Sequence, residues 1–363
     1  LLSRSKIIPV PRNRPGKRKA HPIDAEENII YPVNKKVGDA VEPVHESGAK
    51  PSVVHAAVVL SGGSGMVGRA VHRALTARGA RVLQLVRGEA GSSSQLHWNP
   101  EAAMAFRDTE PLEGFAAAIH LSGANVAAHR WTAAYKQEIW RSRVQSTRAL
   151  AEAVAGLRRR PEVMIVASAT GIYGDRGDEI LDETAAPGKG FLADVCQEWE
   201  LAARPASEAG IRVVHTRFGV VVGPGDGALA KMLPLFKLGL GGRLGSGKQW
   251  MSWVSLEDVV GAILFALGTR AVAGPVNVTA PNPVTNAEFT RALAKAVHRP
   301  AILPAPAFAL RLAMGEMADE ALLASARAVP AKLSQGGFRF AYPTIEGALE
   351  HAVAAPETAS NEG

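Results

Sequence analysis

Short, wholly apolar runs alternate along the middle of the chain with longer segments whose apolar residues recur at helical spacing. The first run, 56–60, stops abruptly at glycines, and small and aliphatic residues then continue through Ala70, Val71, Ala74 and Leu75. A change from an unbroken run to 3.6-residue spacing predicts a buried strand, a tight turn and a helix. That helix reaches Arg78 and ends at Gly79, and 81–87 reads as the next strand. The same alternation predicts strands at 116–121, 162–167 and 211–218 and a short strand or turn at 95–100. Helical segments at 131–156 and 191–209 fall between them. Strands apolar on both faces, each followed by a helix, imply a parallel sheet covered on both sides. The fold class is therefore α/β, a Rossmann-type doubly wound parallel sheet.

From Ala228 the pattern changes. It predicts a helix at 229–238, a glycine-rich loop at 239–247 that carries Arg243, a helix at 257–267 and a strand at 274–279. Helices at 285–297 and 310–328 follow. The first has Thr285 or Asn286 as cap with Glu288 in its first turn, and Pro306 and Pro330 bound the second. These segments predict sheet completion plus a smaller C-terminal α/β lobe on the substrate side. The expected division is an arm at 1–53, a nucleotide-binding domain at 54–227, the completing segments and lobe at 228–354, and a tail at 355–363.

The net charge of +7 changes this picture only at one end. Arg4, Lys6, Arg12, Arg14, Lys17, Arg18 and Lys19 fall in the first 20 residues with no acid, and account for the whole excess. Basicity confined to an arm gives no reason to expect a nucleic-acid-binding face on the folded body. The arm is instead a candidate docking segment for a protein complex. No stretch of 18 apolar residues occurs, so no transmembrane helix is expected. One cysteine, Cys196, excludes an internal disulfide and any cysteine-based metal cluster, and His120 and His129 lack ligand-like spacing, so no metal site is expected. The expected location is cytoplasmic. An organelle, mitochondrion or plastid, is expected instead if the start at Leu1 reflects removal of an import peptide.

The glycines carry the first chemistry. Both Gly62-x-x-Gly65-x-x-Gly68 and Gly63-x-Gly65-x-x-Gly68 can be read between the first strand and helix. A dinucleotide site needs one glycine for a turn with positive φ, one for close approach to the pyrophosphate and one for close helix–strand packing. Gly62, Gly63, Ser64, Gly65, Met66 and Val67 would line that turn, with free helical N–H groups facing the phosphates. Leu121, Ser122 and Gly123 would form a second cofactor-side loop, and Ala167 and Ser168 a third position at a strand end. At the end of the second strand, where an acid would bind a ribose 2′-hydroxyl, Arg87 stands. A guanidinium suits a 2′-phosphate and biases the cofactor toward NADP(H) over NAD(H).

The segments from 55 to 354 resemble the extended short-chain dehydrogenase/reductase superfamily. Within it they are similar to the atypical branch of epimerase family proteins, of YfcH-like and SDR39U type. The residues that carry the likeness include Ser61-Gly-Gly-Ser-Gly-Met-Val-Gly68, Leu121-Ser-Gly-Ala-Asn125, Arg130-Trp131, Trp140-Arg-Ser-Arg143 and Trp253-Val-Ser-Leu-Glu-Asp-Val259. The most specific block lies near the C-terminus: Met314-Gly-Glu-Met-Ala318, Pro330-Ala-Lys-Leu333 and Gly337-Phe338-x-Phe340. The resemblance implies an NADP-type Rossmann domain and a small C-terminal substrate domain. It also implies a Tyr-x-x-x-Lys pair with a nearby Ser or Thr. Here those positions fall on Phe191 and Val195, which cannot transfer a proton or supply a charge, and on Ala169.

Substitutes for the missing pair are Tyr173, Ser168 and Thr170 as catalytic candidates, with Cys196, Asp175 and Asp178 close to the expected cleft. Arg217 and Arg243 could bind an anionic substrate, Asp258 reads as a brace for a turn, and Trp250 and Trp253 could stack on a ring or, the preferred reading, pack at the domain junction. Two functions follow. One is an NADP(H)-dependent reductase or epimerase-like enzyme acting on an unknown small molecule with non-standard catalytic residues. The other is a catalytically silent nucleotide-binding subunit of a larger complex.

Overall fold

The computed structural model describes residues 57–355, so the arm at 1–53 and nearly all of the tail lie outside the described residues. β1 (Val58–Ser61) leads through a glycine turn into α1 (Met66–Thr76), and β2 (Val82–Val86), β3 (Gln95–His97) and β4 (Ala117–His120) follow. Next come α2 (Ala133–Ala155), β5 (Val163–Ala169), β6 (Ile180–Leu181), α3 (Phe191–Leu201), α4 (Arg204–Glu208), β7 (Arg212–Phe218) and β8 (Val220–Val222). The remainder is α5 (Gly227–Lys237), β9 (Trp250–Met251), β10 (Trp253–Ser255), α6 (Leu256–Gly268), β11 (Gly274–Val278), β12 (Val284–Thr285) and α7 (Asn286–Ala296). After these come α8 (Ala307–Met314), β13 (Arg327–Ala328), α9 (Ala331–Gln335) and α10 (Ile345–Ala354).

Seven strands form one sheet in the order β11-β7-β5-β4-β1-β2-β3, with every neighbouring pair parallel. The unbroken apolar runs have a direct cause. Successive strand side chains point to opposite faces, and both faces are covered. Val59, Ala118, Met164 and Val166 pack with Trp98, Leu150 and Trp199 on the α2–α3 side. Val58, Leu60, Ile119 and Ile165 pack with Val71, Leu75, Val259 and Ile263 on the α1–α6 side. Strand order reverses direction at β1, between β2 and β4, which places a ligand crevice at the C-terminal ends of those strands.

The C-terminal part divides its work. α6 and β11 complete the sheet, while α5, α7 and α10 enclose a separate core around Trp253, Phe289 and Leu349. Thr285 caps α7 in a reciprocal capping box with Glu288, as its sequence spacing predicts. Two predicted helices are shorter than the apolar pattern suggests. The segment 191–209 is broken into α3 and α4. The segment 310–328 is not one helix: α8 ends at Gly315, where φ is +65°, and a π-helical stretch over Ala318–Leu323 leads into β13, which pairs with β6. Strand pairing of Arg327 and Ala328 with Ile180 and Leu181 outweighs helical propensity there.

Candidate functional site

The turn after β1 assigns a job to each glycine. Gly62 has φ +74°, and a side chain there would lie 2.6–2.8 Å from the Leu121–Ser122 backbone. Gly68 faces the Gly62 carbonyl so closely that a Cβ would sit 2.8 Å from the carbonyl carbon and 2.9 Å from Gly63 Cα. At Gly65 the only neighbour of an added Cβ is the Gly62 oxygen at 3.5 Å, so its open side faces outward. The triplet in use is therefore Gly62–Gly65–Gly68. Gly65 is the N-cap of α1 and offers no side-chain cap, and the first turn holds no acid. The N–H groups of Met66, Val67 and Gly68 thus have no acceptor within the helix.

These groups open on a cleft of about 1020 Å³, which Gly62, Gly63, Ser64 and Gly65 line with the Leu121–Ser122–Gly123 loop. Arg87 lines it from the end of β2, exposed and with no ion-pair partner among the described residues. Arg73 and Arg141 join the same wall. Arg69 also lines the cleft and is spoken for by Asp226 at 2.9 Å. The loop after β4 is held from α2: the Ala124 N–H donates to Ser142 Oγ (2.9 Å), and Arg143 donates to the Ala124 carbonyl (2.9 Å) while stacking over Trp199. The Trp140-Arg-Ser-Arg143 motif is thus a clamp for that loop.

Beneath the cleft, His120 is fully buried between Ser61 Oγ (2.6 Å from Nδ1) and Ser146 Oγ (3.1 Å from Nε2). Burial holds the imidazole neutral and takes its pKa down to about 3. The unfolded chain, with an ordinary histidine pKa near ~6.5, therefore binds the extra proton first as the solution is acidified. Stability should be complete above about pH 6.5 and fall as pH drops toward 3. Urea unfolding at pH 7 and pH 5 checks this: the loss between the two should shrink in His120→Gln. Burial lowers the His215 pKa too and contributes with the same sign.

The catalytic candidates named from sequence do not meet at the cleft. Tyr173 is wholly buried. Its hydroxyl accepts from Arg217 Nη1 (3.0 Å) and donates to Asn277 Oδ1 (2.7 Å). Burial raises its pKa against the opposing effect of the Arg217 charge. Ser168 is also buried, and its hydroxyl donates to Glu200 Oε1 at 2.8 Å. Met66, Val67, Ala167, Ser168, Thr170 and Tyr173 are all absent from the cleft wall. Burial pushes the Cys196 thiol up to about 12, which leaves it inert. Asp175 and Asp178 brace the C-terminal segment: Asp175 accepts from the Ser325 N–H (3.1 Å) and Asp178 from Trp250 Nε1 (2.8 Å). Asp258 accepts from the Ala341 and Tyr342 N–H groups at 2.6 and 3.0 Å. Arg217 is buried against Glu200, so it cannot meet a substrate anion.

Phe191, at the superfamily's tyrosine position, starts α3 and packs edge-on against Trp131 at 5.1 Å. Lys136 from α2 sets its Nζ 4.5 Å from the centre of the Phe191 ring, and both oxygens of Glu316 accept from it at 2.8 Å. Glu320 accepts from the Phe191 and Leu192 N–H groups at 2.8 and 2.7 Å. The C-terminal segment therefore closes over this corner with two carboxylates. Sequence reasoning missed Lys136, whose carboxylate partner Glu316 lies 180 residues away. Among the described residues no group of three or more His, Cys, Asp or Glu side chains could hold a metal, and no helix is long and apolar enough to cross a membrane.

A profile of the NAD dependent epimerase/dehydratase family matches residues 58–279, and DUF1731, a domain of unknown function, matches 305–352. The chain belongs to that epimerase/dehydratase family. Epimerase family protein Mb2239 of Mycobacterium bovis is 46% identical over 304 residues, 84% of this chain and 100% of that protein. The crystal structure of human epimerase family protein SDR39U1 (isoform 2) with NADPH is 30% identical with a TM-score of 0.75, covering 82% of this chain and 99% of that one. A nucleoside-diphosphate sugar epimerase structure from Corynebacterium glutamicum is 36% identical with a TM-score of 0.67, covering 82% and 58%. The chain is thus an atypical short-chain dehydrogenase/reductase of the epimerase branch. DUF1731 coincides with the segment that closes over Phe191.

Proposed function

We propose that this epimerase-family protein binds NADP(H) in the β1–α1 cleft and is a reductase or epimerase-like enzyme whose proton transfer runs without the superfamily's tyrosine and lysine. The observation that carries the cofactor reading is the wall of the cleft itself. A side-chain-free N-cap, unpaired first-turn N–H groups and the unpaired Arg87 guanidinium make a cradle for a pyrophosphate and a 2′-phosphate. The NADPH of the human relative's structure supports the same choice, although relatives under 25% identical are described with NAD.

When bound, the nicotinamide supplies or accepts a hydride. The chain must then handle a proton at the substrate oxygen. We assign this role to Lys136, which lies outside the cleft wall at the corner where α2, Phe191 and the C-terminal segment meet. Its ammonium lies over the face of the Phe191 ring, the residue at the superfamily's tyrosine position, and Glu316 orients it. In the reducing direction Lys136 Nζ would give its proton to the developing alkoxide and regain it from solvent. Trp131 and Phe191 supply an apolar wall that favours a neutral substrate face.

Calorimetry with NADPH and NADH, on the chain and on Arg87→Ala, tests the cofactor reading. The expected result is tighter binding of NADPH, weakened at least ten-fold in Arg87→Ala (about 1.4 kcal/mol), with NADH affinity unchanged. No binding of either nucleotide would overturn it. For the enzyme reading, Lys136→Met should abolish NADPH turnover in a carbonyl-substrate screen while leaving NADPH affinity within about two-fold. Binding without turnover in every screen would favour the accessory-subunit reading, whose docking arm lies outside the described residues.

A further inference from the structure

Seven of the ten large apolar side chains most exposed among the described residues fall in two short stretches, 235–240 and 302–312. The stretches are adjacent in space: the Leu303 N–H donates to the Gly241 carbonyl, Arg299 Nε donates to the Lys237 carbonyl, and Leu244 bridges to Ala305. α8 follows directly on Ala305 and Pro306 in the chain, and Gly245 in the neighbouring loop packs near Ala307 at its start. None of its eight residues is buried, and Phe308 and Leu312, one turn apart, are 73% and 78% exposed. Ile302 and Leu238 are 75% and 71% exposed. An eight-residue helix is marginal in water, so a face this apolar needs a cover.

Charge narrows the choice of cover. No acid occurs between Asp226 and Glu257, nor between Glu288 and Glu316. Lys237, Arg243 and Arg299 rim the apolar residues with no ion-pair partner among the described residues. Arg311 is the exception, paired with Asp319 at 2.8 Å. A second copy related by a two-fold axis would bring this basic rim against itself, which is repulsive. Side chains more than 70% exposed stand proud of the surface and line no groove, so they suit insertion better than reception of a partner's helix. Protruding aromatic and aliphatic residues ringed by unpaired cations match an interface of headgroup phosphates over acyl chains.

We propose that the face formed by 235–243, 299–303 and α8 docks the protein peripherally on an anionic phospholipid surface. The site goes beyond nucleotide binding and places the segment that closes over Phe191 at the lipid boundary. Co-sedimentation of the full chain with vesicles of phosphatidylcholine alone, or with phosphatidylglycerol added, tests it. Binding is expected only with phosphatidylglycerol. It should fall at least ten-fold in Phe308→Asp/Leu312→Asp and in Lys237→Glu/Arg299→Glu, with unchanged thermal unfolding confirming that both variants fold. Absence of binding would overturn the proposal. So would binding that neither variant reduces, which would assign it to the basic residues 1–20. A dimer in solution that the Phe308→Asp/Leu312→Asp variant dissociates, without vesicle binding, would assign the face to a second copy and overturn it equally.

Discussion

Gly68→Ala should lose at least about 3 kcal/mol of stability, beyond the usual range for one added methyl group in a packed core. The added Cβ would meet the Gly62 carbonyl and Gly63 Cα, both backbone, so no side chain can rotate away to make room. Relief would require opening the turn, which would also lift Gly62 from the Leu121–Ser122 backbone against which it is packed. Gly65→Ala makes the informative contrast. Its Cβ would have an ordinary 3.5 Å contact and nothing else, so the fold should survive with stability within about 1 kcal/mol. The methyl group would instead project into the cleft where a phosphate must approach the helix terminus. Chemical denaturation and calorimetry together separate the two: Gly68→Ala fails in the first measurement, and Gly65→Ala only in the second. Equal effects of both variants on stability would mean that the glycines serve the turn alone.

That contrast also marks how far the chain could be read without its structure. Two triplets overlapped in the sequence, and nothing local distinguished Gly62 from Gly63 as the residue with positive φ. Contact with Leu121, some 60 residues away, decides it. Strands and helices of the sheet were legible because burial on both faces writes unbroken apolar runs, and burial of one helix face writes 3.6-residue spacing. Thr285 and Glu288 were legible for the same local reason. The stretch after Gly315 was not, since its apolar residues suit a helix while its conformation is set by pairing with β6. The candidate site divides in the same way. Cofactor-wall residues such as Gly65, Ser122 and Arg87 sit at strand ends and follow from topology. Lys136 and Glu320 act through partners on remote segments, which local spacing does not encode. Tyr173 and Ser168 follow or end β5, but their hydroxyls are taken up by Arg217, Asn277 and Glu200 from elements remote in sequence, which local spacing again does not encode.

The inward-facing group to which they belong carries the second large effect. Glu200 receives Arg217 on both oxygens at 2.8 and 2.9 Å, and Ser168 on one of them at 2.8 Å. Arg217 passes on to Tyr173, and Tyr173 to Asn277, whose amide nitrogen donates to the Leu181 and Val329 carbonyls at 3.1 and 2.9 Å. The chain of contacts joins α3, β5, β7 and β11 to β6 and the segment after β13. Burial opposes the charge on Arg217, yet the Glu200 carboxylate more than offsets it and raises the guanidinium pKa. Removing that carboxylate strands a buried cation. Glu200→Ala should therefore cost about 3–5 kcal/mol, read as a fall in the urea midpoint at unchanged slope. Glu200→Ala/Arg217→Met should recover more than half of the loss, since the uncompensated charge disappears with its partner. None of these residues lines the cleft, so the folded fraction of Glu200→Ala and all of Tyr173→Phe should bind NADPH with wild-type affinity. A Tyr173→Phe variant that folds normally but loses turnover ten-fold or more would return that hydroxyl to the chemistry and displace Lys136 from the role proposed for it.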